Sequence, residues 1–400
     1  MVKITVIDSV MGSGKSSWAI QFMNDVTNAF DRFIYVTPIN TEVDRIKEAC
    51  PGRNFRSTNL DKYNGRKMHV VKEWLQDRAN ICTTHSLFRA ADAEFLAHVR
   101  ENNYTLILDE AMTVIELSDV KAKDIETLIE AKNITFDTEG RVIWLKDDYD
   151  GRFVDIKAYA KARTLYHLSG KMFIKVFPAE VFNAFSKVYC LTYLFRAQQQ
   201  RCYFDLHEID YEIKAISKTP DGTYEIVEHD VRKEHRVKLY SLIDIYDGPL
   251  NEVGRKDNAL SSRWFSRSTT IDERKVLQRA TRNFLLNKQQ ARVGDALWTT
   301  KKGVFKVRDY DSAFAPVNCR GTNEYSSRWA LVYAYNRFAN PEEKMFFGKY
   351  GIDIDQDLLA VSDLLQWIWR SRIRNGHPIN LYLPSSRMRS LLLAWSRYEI

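Results

Sequence analysis

Cysteine is scarce and scattered: Cys50, Cys82, Cys190, Cys202 and Cys319 lie far apart, and no two form a CxxC pair. Neither a disulfide framework nor a zinc site of paired-CxxC spacing is expected, and all five are read as ordinary reduced thiols. Proline and glycine are also few, nine and sixteen in 400 residues. No Pro/Gly/Ser linker, low-complexity tail or repeat of roughly 20–50 residues divides the chain. Long apolar runs are missing too. The apolar runs are strand-length, as at 106–108, far short of the roughly 18 apolar residues of a membrane-spanning helix, so a membrane partner is excluded. The first residues enter a strand-like run (Val2, Ile4, Val6, Ile7) without the basic-then-apolar layout of a secretory signal. Residence in the cytoplasm is therefore expected.

What the chain does hold is 45% hydrophobic residues and a net charge of +7. The apolar content suffices for two or three cores, and the mild basic excess permits a polyanionic partner. From 1 to about 110, β-rich runs alternate with helix-like runs: strand at 4–7, helix from Lys15, strand at 33–36, helices from Thr41 and at 70–78, then strands at 81–83 and 106–108. This βαβ punctuation predicts a mainly parallel sheet covered by helices. Between about 112 and 187 the pattern turns helical and irregular, with one hairpin expected at 134–145, and reads as an insertion or lid. A strand is expected at 188–194. A second hairpin at 211–227, turning at Pro220-Asp221-Gly222, marks the passage into a second domain. Beyond it come helix at 271–290, strand at 296–300, helices at 326–338 and 357–370, and strand at 379–383.

Directly after the first strand stands Ser9-Val10-Met11-Gly12-Ser13-Gly14-Lys15-Ser16-Ser17. Against GxxxxGK[ST], Ser9 replaces the first glycine, while Gly14-Lys15-Ser16 match. Gly12 and Gly14 let backbone N–H groups curl around a phosphate, Ser13 and Ser17 flank them, and the helix from Lys15 points its positive end at the anion. Lys15 is expected to neutralise the outer phosphates of ATP, and Ser16 to offer its hydroxyl to Mg²⁺. The partner carboxylates follow the run Thr105-Leu106-Ile107-Leu108: Asp109 would hold Mg²⁺ and Glu110 would activate the attacking water. From Gln366 to Arg397 six arginines occur with no acid. Arg370 and Arg374, four apart with Gln366 one turn earlier, are expected on one helix face, suited to a γ-phosphate across a cleft.

In this order the segments resemble the superfamily 2 helicases and translocases, in particular the compact DEAD-like forms of phages and mobile elements. Residues 9–17 look like motif I and Asp109-Glu110-Ala111 like motif II; Val36-Thr37-Pro38 resembles motif Ia and Thr83-Thr84-His85 motif Ib. Leu191-Thr192-Tyr193 stands in the place of motif III, and Arg320-Gly321-Thr322-Asn323 resembles motif V. Gln366, Arg370, Arg372 and Arg374 resemble motif VI, usually QxxGRxxR; here Trp369 replaces the glycine and the later arginines are shifted. No aromatic Q motif is seen ahead of motif I.

The resemblance implies an α/β chain of two RecA-like parallel-sheet domains in tandem, a P-loop NTPase with helical and β-hairpin insertions. Residues 1–205 would carry the ATP loop, the acidic motif and the insertion, and residues 206–400 a hairpin insertion and the arginine-rich motif. It implies ATP and Mg²⁺ in the cleft, bound by Ser9, Gly12, Ser13, Gly14, Lys15, Ser16 and Ser17 on one side and Gln366, Arg372 and an arginine finger on the other. Arg370 fits the first family position, with Arg372 and Arg374 competing for the second. A nucleic-acid strand would meet Thr37, Pro38, Thr84, His85, Arg320, Thr322 and Asn323, single-stranded or forked DNA ahead of RNA. Replication or recombination proteins of a phage, in a bacterial host's cytoplasm, are the partners it suggests. Two alternatives stand beside this reading: a packaging-type motor, which normally adds a nuclease domain with clustered acids, and a nucleic-acid interaction factor that binds ATP without motor activity. The aromatics Trp264, Phe265, Trp298, Trp329, Tyr333, Tyr335, Trp367 and Trp369 are read mostly as core, and any that are not would stack on unpaired bases.

Overall fold

The computed structural model describes residues 3–59, 63, 65–319 and 324–400. The first 110 residues lay down β1 (Ile4–Asp8), β2 (Arg32–Thr37), β3 (Ile81–Thr84) and β4 (Tyr104–Asp109). Within the insertion come β5 (Ile115–Leu117), β6 (Ile134–Phe136), β7 (Val142–Trp144), β8 (Leu165–Leu168) and β9 (Met172–Val176). Then follow β10 (Lys187–Thr192), β11 (Tyr211–Lys218) and β12 (Tyr224–Glu228). The principal sheet has seven strands in the order β12-β11-β1-β10-β4-β2-β3, all pairs parallel except the last hairpin, β11 with β12. Its central strands are continuous apolar runs because both faces are covered. In β2, Ile34 and Val36 enter one core while Phe33 and Tyr35 enter the core on the other face, the period-2 alternation of a strand buried on both sides.

The hairpin at 211–228 corrects the expected domain boundary. The sequence pattern places the entry to the second domain here, after residue 205, yet β11 pairs parallel with β1, Ile4 opposite Tyr211 and Ile7 opposite Lys214. The first sheet therefore runs to Glu228. The turn chemistry at 220–222 is local and legible; the edge on which the hairpin lands depends on partners two hundred residues away.

The second sheet is β13 (Ile243–Ile245), β14 (Ala296–Thr299), β15 (Ala330–Tyr333) and β16 (Ile379–Tyr382), four parallel strands in the order β13-β16-β15-β14. The helix expected at 326–338 is not there: its centre is β15. Ala330, Leu331, Val332 and Tyr333 are all fully buried, and a short apolar run of this kind does not separate buried strand from buried helix by periodicity. The expected α/β class holds, two parallel sheets in tandem. No helix among the described residues is long and apolar enough to cross a membrane.

One helix sets the geometry between the two halves. Helix Gln356–Ile368 starts where Asp355 accepts from Leu358 N at 2.9 Å, and it buries Leu358, Leu359, Val361, Leu364, Leu365, Trp367 and Ile368. A helix that buries this much apolar surface belongs between two layers. Its one buried polar residue, Ser362, accepts from Gln198 Nε2 of the first domain at 2.8 Å, both residues buried. The helix stops at Ile368; Ser371 is extended and a single 3₁₀ turn follows at Arg372–Asn375. Arg370 and Arg374 thus do not share a helix face, contrary to the spacing argument.

The insertion is less irregular than expected. Besides the predicted β6–β7 hairpin it holds a three-stranded antiparallel sheet, β5-β9-β8. Its hairpin turn is clasped from the far half of the chain: Lys349 Nζ and Tyr350 OH both donate to Glu139 O, at 2.6 and 3.1 Å. Phe346 and Phe347 of helix Pro341–Gly348 are buried in the first domain's core.

Candidate active site

The carboxyl ends of β1, β10 and β4 lie in register, Asp8 opposite Thr192 and Leu191 opposite Asp109. The loops after β1 and β4 therefore open on one edge, where open parallel sheets bind ligands. The first loop turns through Gly12 at φ 81° and Gly14 at φ 100°, left-handed values that favour glycine. Gly14 caps helix Lys15–Asn24 without a side-chain bond, so the helix start offers its N–H groups and positive dipole to an anion. Lys15 Nζ donates to the carbonyls of Ser9 and Val10, the latter at 3.1 Å. Ser9 itself turns away from the cleft: its buried Oγ accepts from Ile216 N at 2.9 Å, tying the loop to β11.

At the end of β4, Asp109 accepts from Tyr35 OH at 3.0 Å. Burial and then the adjacent Glu110 carboxylate raise Asp109 to about 6, against the pull of the Tyr35 bond. Glu110 sits at φ 65°, a left-handed conformation that costs a non-glycine residue about 1–3 kcal/mol and is typical of functional turns. There its Oε1 accepts from Arg370 Nη2 of the second domain at 3.1 Å, side chains 28% and 15% exposed. Gln366, Trp369, Arg370 and Arg374 all line the same cleft as Gly12, Gly14, Lys15, Ser16, Ser17, Asp109 and Glu110, around a volume of about 360 Å³. Burial and the neighbouring Arg370 guanidinium lower the pKa of Arg374. Two arginines and a lysine brought together against partial desolvation make a site for a polyanion.

Lys15 yields a prediction about pH. Burial lowers its pKa to about 8, opposed by the attraction of Asp8, Asp109 and Glu110. Below that value the ammonium is charged; above it the charge is lost, so polyphosphate affinity falls as pH rises through it. Because an anion pulls the pKa back up, binding takes up a proton on the alkaline side. Calorimetry with tripolyphosphate in two buffers of different ionisation heat, at about pH 7 and about pH 9.5, is expected to show uptake only at the higher pH. Equal heats in both buffers at the higher pH would contradict it.

A hydroxyl (Ser16) and a carboxylate (Asp109) on one cleft wall are hard oxygen donors, the set that suits Mg²⁺ alongside phosphate oxygens. The remaining expected residues scatter. Thr37 and Pro38 line this same cleft, with the Glu42–Arg45 pair (2.7 Å) beside them. Thr84 opens instead on a smaller polar recess with Asn40, Ser57, Asn59 and Lys67. The Nε2 of His85 lies 2.9 Å from Asp109 O, an atom that only accepts, so the histidine braces the end of β4. Arg372 points away, its Nε donating to Pro378 O at 2.6 Å and its guanidinium 5.6 Å over the Trp329 ring. It is therefore not a cleft residue. Ser13 also lies off the cleft lining, its Oγ buried. Arg320, Thr322 and Asn323 lie outside the described residues. Of the aromatics, Trp264, Phe265, Trp298, Tyr333, Trp367 and Trp369 are buried, leaving Trp329 and Tyr335 half-buried.

Tyr224 and Trp369 are among the cleft residues that the sequence pattern does not place there. Tyr224, on β12, covers the loop so closely that a Cβ on Gly14 would stand 2.0 Å from its ring. The side chain of Gln21 holds Tyr224 in place, accepting from its N at 2.9 Å and donating to its O at 3.0 Å. Trp369 was visible only as a departure from the family's glycine; its indole Nε1 lies 3.5 Å from where a Cβ on Gly12 would be.

The chain is thus a tandem parallel-sheet α/β protein in which a glycine-turned loop and helix start face arginines across the interdomain cleft. Residues 237–396 match the family model of the YonV C-terminal Rossmann-like domain, and residues 115–175 that of the YonV middle domain. The chain is 37% identical over 410 residues to the SPbeta prophage-derived uncharacterized protein YonV of Bacillus subtilis (strain 168), covering 99% of both, and it belongs to the YonV family. Among solved structures, S. tokodaii Xpd4 is similar at 12% identity and a TM-score of 0.47, over 100% of this chain and 94% of that one. The DUF1998 helicase MrfA bound to DNA is similar at 9% identity and a TM-score of 0.37, over 100% of this chain and 49% of its own.

Proposed function

We propose that the protein is a nucleic-acid-dependent ATPase of the helicase or translocase type, with DNA as the first candidate strand and a phage setting, as in its prophage-derived relative. The observation that carries the reading is the meeting of three groups in one cleft: the loop at 12–17, the acidic pair Asp109 and Glu110, and Arg370 with Arg374 from the second domain. A cleft of this composition fits phosphoryl transfer, which is mostly positioning and charge stabilisation.

In this account Gly12, Gly14 and Lys15 cradle the phosphates. Ser16 and Asp109 would hold Mg²⁺, which neutralises phosphate oxygens when bound. Glu110 accepts the proton of the attacking water, and Arg370 leaves Glu110 to stabilise charge on the transferred group, with Arg374 beside it. Because Arg370 belongs to the second domain and Glu110 to the first, hydrolysis and cleft opening would be linked, and repeated closure would move the two domains along a strand. His85 would connect the strand-facing end of β3 to the backbone of Asp109.

The test is strand binding by anisotropy with a labelled single-stranded oligonucleotide, DNA and RNA in turn, with ATP analogue, ADP or no nucleotide. Affinity is expected to depend on the nucleotide and to fall many-fold between about 50 and about 200 mM salt, as phosphate contacts release counterions. A flat salt response with no nucleotide effect would contradict the strand-binding role.

A further inference from the structure

We infer that the indole N–H of Trp369 is a hydrogen-bond donor to the terminal phosphate of the bound nucleoside triphosphate, a contact delivered by the second domain. The inference rests on the nucleotide reading of the cleft and adds a residue to it. Trp369 closes helix Gln356–Ile368 as its C-cap and immediately precedes Arg370. It is 8% exposed. Among the described residues no acceptor meets its Nε1, and none meets the Nε of Arg370. An indole nitrogen can only donate, and a buried donor without an acceptor is both destabilising and uncommon in native proteins.

The position of that donor identifies the acceptor's chemistry. Nε1 faces Gly12, at the tip of the phosphate loop, on the lining of the cleft. The neighbouring guanidinium of Arg370 touches Glu110, the residue assigned to the attacking water. A group that meets the indole, Arg370 and Gly12 together is the end of a polyphosphate chain nearest the water, rather than an inner phosphate held by the helix start at Lys15. The bulky ring also explains why a residue other than glycine stands here: glycine at this place has no donor and leaves the loop tip uncovered. With the indole in place, the second domain feels the presence of the outermost phosphate through two adjacent residues.

The test compares ATP analogue and ADP affinities, by calorimetry with Mg²⁺, for the wild type and Trp369→Phe, which keeps an aromatic ring and removes the N–H. Triphosphate affinity is expected to fall about tenfold or more while diphosphate affinity stays the same, the size expected for a lost bond to a charged acceptor. An unchanged ratio of the two affinities, or an equal loss of both, would assign Trp369 to packing alone and overturn the inference. If the wild type binds neither nucleotide, the reading of the cleft fails and this contact with it. A second measurement does not depend on the variant's folding. In the wild type labelled with ¹⁵N-tryptophan, one of the nine indole resonances is expected to move downfield with the triphosphate analogue and not with ADP. Identical indole spectra in the two states would overturn the inference equally.

Discussion

Arg370→Ala is expected to slow strand-stimulated ATP hydrolysis by about a thousandfold or more, the range measured for arginine fingers, while ATP affinity changes by only a few-fold. The reason is where the charge is needed. On the proposed reading Lys15 and the loop N–H groups hold the ground-state phosphates, whereas Arg370 would enter from the second domain beside Glu110, 3.1 Å away, where charge develops during transfer. Arg370→Lys keeps the charge but loses the planar fork, and is expected to recover only part of the rate. Phosphate release under saturating nucleotide and strand reads both variants, with a melting curve as the control for folding. A loss under tenfold in Arg370→Ala with unchanged melting would remove Arg370 from the reaction, leaving Arg374, which shares the cleft, as the residue to examine.

Glu110→Gln is expected to lower hydrolysis by about a hundredfold to ten-thousandfold, the range of general-base catalysis, and to leave ATP bound. The amide keeps an oxygen that accepts from Arg370, so the interdomain contact survives while proton acceptance is lost. Its backbone bond, Glu110 N to Leu191 O at 2.9 Å, is also untouched. The variant should therefore separate closure from chemistry: in rapid-quench single turnovers bound ATP persists, and the strand stays bound with it. Wild-type turnover by Glu110→Gln would show that the proton leaves by another route.

The parts of this architecture written in short stretches were legible in the sequence. Strand, glycine loop and helix follow one another within residues 4–24, and the buried run of β4 ends on its two acids; each announces its own geometry. The parts set by distant partners were not legible. Nothing near residue 211 says that β11 will lie beside β1 rather than open a new domain. The β5-β9-β8 sheet is built from strands of three to five residues, too short for alternation to stand out from an irregular segment. Arg370 and Arg374 were expected in the cleft from helical spacing. They reach it instead because the helix ends at Ile368 and the chain turns. Trp369 and Tyr224 join the site only through Gly12 and Gly14, contacts that no local pattern encodes. Arg387 and Arg389 show the converse: in sequence they belong to a basic stretch, but Arg387 pairs with Asp357 and Arg389 binds Leu383 O and Pro384 O, at 2.6 and 2.8 Å for the latter two.

Steady-state ATP hydrolysis by the wild type and Lys15→Ala, with and without single-stranded DNA or RNA, separates a strand-driven motor from a protein that merely holds the nucleotide. Turnover is expected to rise several-fold with one of the two polymers and to fall to background in Lys15→Ala, because the cradle at 12–17 loses its half-buried cation. Turnover at background with either polymer, although ATP binds, would contradict the motor and leave a protein that uses the nucleotide as a structural ligand.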